Sequence, residues 1–179
     1  MVENGLWVFG YGSLVWQPGF EFTVHQIARL DGYARSFCMR SIHHRGTVDA
    51  PGLVLALDKS EGAYCDGVAF YVEPAQAGKT LDYLRERELI SSAYLEEYNT
   101  VTLAGGGDVA AVCFVIDTGH TQYCAGLPLE EQAQIISTAV GGRGSNFDYL
   151  YNTAAHLRTL GIEDQNLNWL ETRVRQLVG

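Results

Sequence analysis

Residues 7–16 read Trp-Val-Phe-Gly-Tyr-Gly-Ser-Leu-Val-Trp, and this stretch indicates how the chain begins to fold. Its β-branched and aromatic start predicts a buried strand over residues 6–11 that ends in a tight Gly-x-Gly turn. Gly10 and Gly12 allow positive φ angles and a close approach of the backbone to a ligand. We therefore expect N–H groups of this turn to point into one pocket, an arrangement that suits a carboxylate.

A Gly-x-Gly-Ser turn is also typical of ordinary loops, so its neighbours decide which functions it can serve. It lacks the third glycine and the following helix of a dinucleotide site, and Pro18 comes soon after. The Gly-Lys-Ser/Thr of a P-loop and the Gly-x-Ser-x-Gly of a nucleophile elbow are absent as well. Ser13 is therefore predicted to form hydrogen bonds rather than to act as a nucleophile.

Length and composition predict one domain with a full core over residues 1–179, because 47% of the residues are apolar. The formal net charge of −9 argues against nucleic-acid and anionic-membrane partners. No signal-peptide pattern opens the chain, and no apolar run is long enough to span a bilayer. These features predict a soluble, cytoplasmic protein.

The cysteines and histidines do not show the spacing of a metal site. The chain has 4 cysteines, at positions 38, 65, 113 and 124, and no CxxC pair. They are predicted to be reduced thiols, mostly buried. His43 and His44 would face opposite sides of a strand, so they are not expected to bind one metal ion together.

Strand-like runs dominate the first two-thirds of the chain. They are short and separated by turn residues, and a glycine-rich connection over residues 104–108 predicts a hairpin. The predicted strands cover residues 6–11, 33–40, 53–57, 66–72, 99–103 and 109–116. This pattern fits a small antiparallel barrel or a curled sheet. The fold class that we expect is α+β, with a small mixed or antiparallel β-barrel and flanking helices.

Helical periodicity is concentrated in four segments. Three helices are predicted over residues 74–88, 129–140 and 146–160. Ser145 is a suitable N-cap for the third, and Asp164 for a last helix that we expect to pack over the sheet or its end.

Three further segments contain candidate functional residues. The first is His43-His44-Arg45-Gly46, where Arg45 is either a solvated strand end or a partner for a substrate carboxylate. The second is Arg87-Glu88, where alternating charges are usually a solvated helix face. The third covers residues 141–150, a glycine-rich loop leading into a helix. Glu86 lies about 200° around a helix from Glu88, so the two cannot serve the same pocket.

Taken in order, these four segments resemble the ChaC-like γ-glutamylcyclotransferases, and the resemblance runs from about residue 7 to residue 160. It implies the barrel fold of that family, a small-molecule substrate, no metal and no cofactor. Glu88 matches the catalytic acid/base of the family. The resemblance further implies substrate-binding roles for Gly10, Tyr11, Gly12, Ser13, Leu14, Val15, Arg45 and Tyr149.

Such enzymes cleave a γ-glutamyl amide without water. The α-amine of the substrate attacks its own γ-carbonyl, 5-oxoproline closes, and the amine half leaves; from glutathione that half is Cys-Gly. Two alternatives stay open, namely a cyclotransferase for other γ-glutamyl amines and a non-catalytic module that binds an anionic metabolite. The chain departs from the family after Glu88, where Leu89-Ile90-Ser91-Ser92-Ala93-Tyr94 replaces a glycine-rich stretch. Nothing in the sequence indicates an oligomeric state.

Overall fold

The structure is a computed structural model that describes residues 4–90 and 92–179. The strands are β1 (Leu6–Gly10), β2 (Val24–Ser41), β3 (Gly52–Val72), β4 (Tyr94–Leu103), β5 (Asp108–Ile116), β6 (Val140–Gly141) and β7 (Gly144–Ser145). The helices are α1 (Ser13–Trp16), α2 (Pro74–Glu88), α3 (Leu129–Thr138), α4 (Asn146–Thr159) and α5 (Gln165–Val178).

The contacts within the chain define two compact units. The first contains the residues up to Arg35 together with Leu57–His120, and the second contains Ser36–Ala56 and Thr121–Gly179. Both β2 and β3 have residues in each unit. The single domain expected over residues 1–179 remains a prediction.

The first unit is built on a closed barrel with the strand order β1-β3-β2-β4-β5. Antiparallel pairs join β1 to β3, β2 to β4 and β4 to β5, while β1 and β3 each also pair with β5 in parallel. Closure removes the exposed edges that an open sheet would present. The predicted mixed barrel with flanking helices is confirmed.

Three of the strands, β2, β3 and β4, are longer than their sequence pattern predicts. Strand β3 is continuous over Gly52–Val72, although residues 58–65 look like a break between two strands. Most side chains from Asp58 to Tyr64 are exposed or half-buried, so this part of the strand carries polar residues while its backbone stays paired. The apolar periodicity is lost there because one stretch of the strand does not face a core.

The hairpin and helix signals are confirmed closely. The glycine-rich turn joins β4 to β5, with φ angles of +100° at Gly106 and +89° at Gly107. Helix α2 begins and ends as predicted. The Ser145 side chain accepts a hydrogen bond from Asp148 N, and Asp164 accepts one from Leu167 N, so both predicted N-caps are present.

Helices α3, α4 and α5 pack against one another in the second unit. Helix α5 buries Leu167, Leu170 and Val174, and its neighbours are α3 and α4. The expectation that this last helix packs over the sheet or its end stays a prediction. Its apolar stripe matches the buried faces of the two other helices, and that pairing is invisible in the periodicity of any one helix.

Among the described residues, no helix is both long and apolar enough to cross a membrane. Three of the four cysteine thiols, those of Cys38, Cys65 and Cys113, are buried as predicted, while Cys124 is half-buried.

Candidate functional site

The glycines of the turn after β1 do not adopt positive φ angles. Gly12 has a φ of −137°, and Gly10 is not among the described glycines with positive φ, so the predicted positive φ angles are wrong here. A Cβ at Gly10 would lie 3.1 Å from both the Leu14 Cβ and the Phe70 ring. A side chain at this position would be tightly packed because the single-turn helix α1, which the sequence did not predict, folds back onto β1.

The hydrogen bonds of this turn show which of its groups are already used. The Val15 N–H donates to the Gly12 carbonyl at 3.0 Å, so it is already used within the turn. The Tyr11 carbonyl accepts from Arg35 Nη1 at 3.1 Å, and the Tyr11 hydroxyl donates to the Phe114 carbonyl at 2.9 Å. A one-turn helix cannot satisfy its own first N–H groups. The Val15 N–H is therefore not free to bind a carboxylate, and the rest of the predicted carboxylate cradle remains a prediction.

Glu88 is the last residue of α2, as predicted. Leu81 and Leu84 on the same face are buried, and the Glu88 side chain is only 15% exposed. Glu86 is exposed, which agrees with the expectation that the two carboxylates serve different surroundings. A carboxylate at a helix C-terminus lies at the negative end of the helix dipole, where its charged form is disfavoured.

Arg87 links the end of α2 to the glycine turn. Its guanidinium Nε lies 3.3 Å from Glu88 Oε1, and its Nη2 donates to Ser13 Oγ at 3.1 Å. Its side chain is 7% exposed, so interpreting this charge run as a solvated face is wrong at Arg87. Composition and periodicity could not reveal this, because Arg85, two residues earlier, is a solvated cation that pairs with Glu96.

The surroundings of Ser13 favour a hydrogen-bonding role. Its hydroxyl oxygen accepts a hydrogen bond from a guanidinium, which cannot remove a proton at any ordinary pH. Within residues 4–90 and 92–179, no histidine or carboxylate forms a hydrogen bond with the Ser13 hydroxyl. A serine nucleophile needs a neighbouring base, and the described part of the chain provides none here.

The segment after Glu88 has an unusual backbone. Ser92 has a φ of +57°, which is uncommon for a residue other than glycine, and its N–H donates to the Leu89 carbonyl at 3.1 Å. Ser91, in the part of the sequence that departs from the family pattern, lies outside the described residues.

Arg45 lies in the second unit and is 8% exposed. It follows the end of β2 in a bend that also contains His43 and His44, so neither the strand geometry expected for the histidines nor the solvated arginine is correct. Its Nη1 donates to the Ser145 carbonyl at 3.2 Å. Burial lowers the pKa of the Arg45 guanidinium. No carboxylate among the described residues forms an ion pair with it.

Tyr149 lies beside Arg45 in the same unit, with the guanidinium 5.6 Å from the ring centroid. It belongs to α4 and is 6% exposed. Its hydroxyl oxygen accepts from the Leu55 N–H at 3.1 Å, and its ring meets Phe37 edge-on. The structure therefore brings two predicted site residues together, and their roles toward a substrate remain predictions.

Two predicted segments of the second unit run side by side. The Gly142 N–H donates to the His43 carbonyl at 2.8 Å, and the Arg143 N–H donates to the His44 carbonyl at 2.9 Å. A Cβ at Gly141 would collide with the backbone of Arg45 and Gly46. Gly141 therefore has to be a glycine because the backbone of residues 44–46 leaves no room for a side chain.

Known proteins resemble this chain along nearly its whole length. A family model described as "ChaC-like protein" matches residues 6–177. The glutathione-specific gamma-glutamylcyclotransferase of Escherichia coli K12 is 36% identical over 176 residues, covering 98% of this chain and 75% of the relative. The protein of the same name from Schizosaccharomyces pombe is 35% identical, covering 97% of this chain and 94% of the relative.

A solved structure matches along nearly the whole length of both chains. It is a glutathione-specific γ-glutamyl cyclotransferase from yeast, which superposes with a TM-score of 0.87 at 25% identity and covers 97% of this chain and 96% of that one. The fold, the ordered segments and the family match point the same way: this chain belongs to the ChaC-like family.

Proposed function

We propose that this chain is a glutathione-specific γ-glutamylcyclotransferase that converts glutathione into 5-oxoproline and Cys-Gly. The supporting observation is the position of Glu88, a largely shielded carboxylate linked through Arg87 to the glycine turn after β1. The relatives from Escherichia coli and Schizosaccharomyces pombe are named for this activity, and their alignments cover nearly the full length of this chain.

The first task of the site is to bend the γ-glutamyl group so that its α-amine meets its own γ-carbonyl. Backbone N–H groups of the turn, from Gly10 to Leu14, hold the α-carboxylate in this proposal. Well-oriented ring closures reach effective molarities of about 10⁵–10⁸ M, so orientation alone provides a large part of the rate. Because the nucleophile belongs to the substrate, the protein does not need to supply one.

The second task is proton transfer. The α-amine is protonated in free glutathione; it first loses one proton to solvent, and Glu88 then accepts a second proton as the nitrogen attacks the γ-carbonyl carbon. The tetrahedral intermediate then collapses: the bond from that carbon to the cysteinyl nitrogen breaks, and Glu88 returns a proton to this nitrogen. The products are a neutral lactam and the free amine of Cys-Gly, so one carboxylate acts first as base and then as acid.

The third task is to stabilise the oxyanion of the tetrahedral intermediate. N–H donors of the turn are suited to this because they are fixed before the reaction begins. The resemblance also gives substrate-binding roles to Arg45 and Tyr149, which contact each other in the second unit. Arg45 is a buried cation, a feature that suits an anionic substrate.

The proposal also covers the domain organisation, the binding partner and the cellular location of the protein. The family match crosses both compact units, which supports one functional domain over residues 1–179. Glutathione, or another γ-glutamyl amide, is the partner, and nucleic acid is not, given the net charge of −9. A cytoplasmic location is proposed because glutathione is abundant in the same compartment in which thiols such as Cys38 and Cys65 stay reduced.

The direct experiment incubates the purified protein with glutathione and measures 5-oxoproline and Cys-Gly together. We expect equal amounts of both products from the wild-type protein. Glu88→Gln removes the proton carrier while keeping the shape of the side chain, and we expect its turnover to fall by at least about 10²–10⁴-fold. Glu86→Gln is the matched control, since this exposed carboxylate lies two residues away on the same helix.

The other outcomes distinguish the alternatives. Product from other γ-glutamyl amines but not from glutathione would favour a cyclotransferase of different specificity. Binding of glutathione without product would favour a non-catalytic module. Full turnover by a folded Glu88→Gln protein would contradict the role proposed for this carboxylate.

A further inference from the structure

Arg87 is buried at the junction between α2 and the segment that follows the glycine turn. Its Nη1 donates to the Gln17 carbonyl at 2.6 Å and to the Pro18 carbonyl at 3.1 Å. Its Nη2 donates to Ser13 Oγ at 3.1 Å. One guanidinium therefore contacts both ends of α1, about 70 residues away in sequence.

The same guanidinium is also fixed from the helix side. Tyr83, one turn earlier on α2, places its hydroxyl 3.0 Å from Arg87 Nη1. Gly19, with a φ of +76°, has no room for a side chain because a Cβ there would collide with the Tyr83 hydroxyl. The side chains of Arg87 and Tyr83 contact each other, and both pack against residues 17–19, which follow α1.

The remaining nitrogen of Arg87 faces Glu88, with Nε 3.3 Å from Oε1. A guanidinium is planar and rigid, so the positions of its Nε and Nη2 cannot vary independently. The Arg87 guanidinium therefore sets the distance between the Glu88 carboxylate and the Ser13 hydroxyl. This matters because the two sides come from different elements, and a misplacement of about 1 Å can reduce a rate about 100-fold.

We propose that Arg87 is a positioning residue that sets Glu88 relative to the glycine turn. This inference rests on the proposed function, because Glu88 is the proton carrier there. Arg87 itself transfers no proton. It fixes the position of the Glu88 carboxylate relative to the glycine turn, and both contact the same γ-glutamyl moiety in the proposed function.

The test compares Arg87→Ala and Arg87→Lys with Arg85→Ala. Arg85 is the matched control because it lies on the same helix, has a 47% exposed side chain and pairs with Glu96 outside this junction. For Arg87→Ala we expect kcat to fall about 100-fold while KM changes less than about threefold. Arg87→Lys keeps the positive charge but lacks the planar guanidinium, so we expect its kcat to exceed that of Arg87→Ala by less than about tenfold. Arg85→Ala is expected to match the wild type.

Two readouts separate positioning from a general structural role. Guanidinium added at millimolar concentration is expected to raise the turnover of Arg87→Ala at least about tenfold and to leave Glu88→Gln unchanged. Hydrogen exchange in a peptide covering residues 7–18 is expected to accelerate in Arg87→Lys and not in Arg85→Ala. The exchange measurement does not depend on any activity.

The outcomes keep this inference separate from the proposed function. A wild-type protein without turnover would contradict the proposed function, and the exchange result would still decide whether Arg87 orders the turn. Wild-type turnover together with a kcat of Arg87→Ala within about threefold of it would overturn the positioning role alone. Failure of both Arg87 variants to fold would also overturn it, because the residue would then serve the fold.

Discussion

At the scale of single residues, the surroundings of a side chain decide which chemistry it can perform. Ser13 follows a Gly-x-Gly turn, a position that in other folds carries a nucleophile. Its hydroxyl accepts a hydrogen bond from the Arg87 guanidinium, which can orient an oxygen but cannot deprotonate it. Glu88 lies on the other side of the same guanidinium and can both accept and return a proton.

Ser13→Ala is expected to reduce turnover without abolishing it. A hydrogen bond to a charged partner contributes about 1.5–3 kcal/mol, so the loss should not exceed about 100-fold. Arg87 keeps its contacts with Gln17 and Pro18, which limits the movement of the turn. The measurement is kcat/KM with glutathione.

A mass spectrum of the same reaction provides the control for Ser13. A mechanism without a protein nucleophile leaves the mass of the protein unchanged during turnover. Complete loss of activity in Ser13→Ala, together with an acyl adduct trapped on the wild-type protein, would instead indicate a serine mechanism.

At the scale of elements, the start of α4 is fastened to β3 by one amide side chain. Asn146 is fully buried; its Oδ1 accepts from the Leu53 N–H at 2.8 Å and its Nδ2 donates to the Leu53 carbonyl at 2.7 Å. The Asn146 amide thus makes the two hydrogen bonds to Leu53 that a neighbouring strand would otherwise make. Gly52 is required beside it, because a Cβ there would lie 2.7 Å from Asn146 Oδ1.

Asn146→Ala is expected to lower the free energy of unfolding by about 2–4 kcal/mol. The substitution leaves a buried N–H and a buried carbonyl of Leu53 without their partners, and each such group costs about 1–3 kcal/mol. Urea denaturation followed by circular dichroism measures the change.

Asn152→Ala is the matched control, because Asn152 is exposed on the same helix. Its replacement by the best helix former is expected to be neutral or slightly stabilising. A change below about 0.5 kcal/mol in Asn146→Ala would contradict the fastening role of the amide.

At the scale of the whole molecule, burial sets the reactivity of the four thiols. Cys113 lies within β5, and its burial raises the pKa of its thiol to about 12. Cys124 is half-buried, and the pKa of its thiol is raised as well. The neutral form is therefore favoured at physiological pH, which protects both from oxidation and alkylation.

Iodoacetamide labelling at pH 8 is expected to modify Cys124 first and Cys113 last. Because the folded state raises the pKa of Cys113 above its ordinary value near 9, its thiolate is scarce at this pH and becomes abundant only near pH 12. Peptide mass spectrometry measures the order, and labelling in urea, where all four should react, is the control. Labelling of Cys113 at the rate of Cys124 in the native protein would show that the barrel does not enclose it.

Local patterns in the sequence were sufficient for elements whose determinants lie close together in the chain. Helix α2, the glycine-rich hairpin and the caps at Ser145 and Asp164 depend on residues within a few positions of one another, so their prediction succeeded. The ordered segments likewise identified the family. Strand β3 was predicted in two pieces because its polar stretch is paired by distant backbone, which no local periodicity records.

The sequence by itself determined the fold class and the family, because the ordered segments are set by residue types and their order. The acid proposed to move protons, Glu88, followed only from the resemblance to that family and stays a prediction. Only the tertiary structure decided that Arg87 is buried against Ser13 while Arg85 is solvated, since the two arginines have nearly the same local sequence. It also decided that Gly10 packs tightly against Leu14 and Phe70 and does not adopt a positive φ. Contacts between distant segments carry this information, and they exist only once the chain has folded.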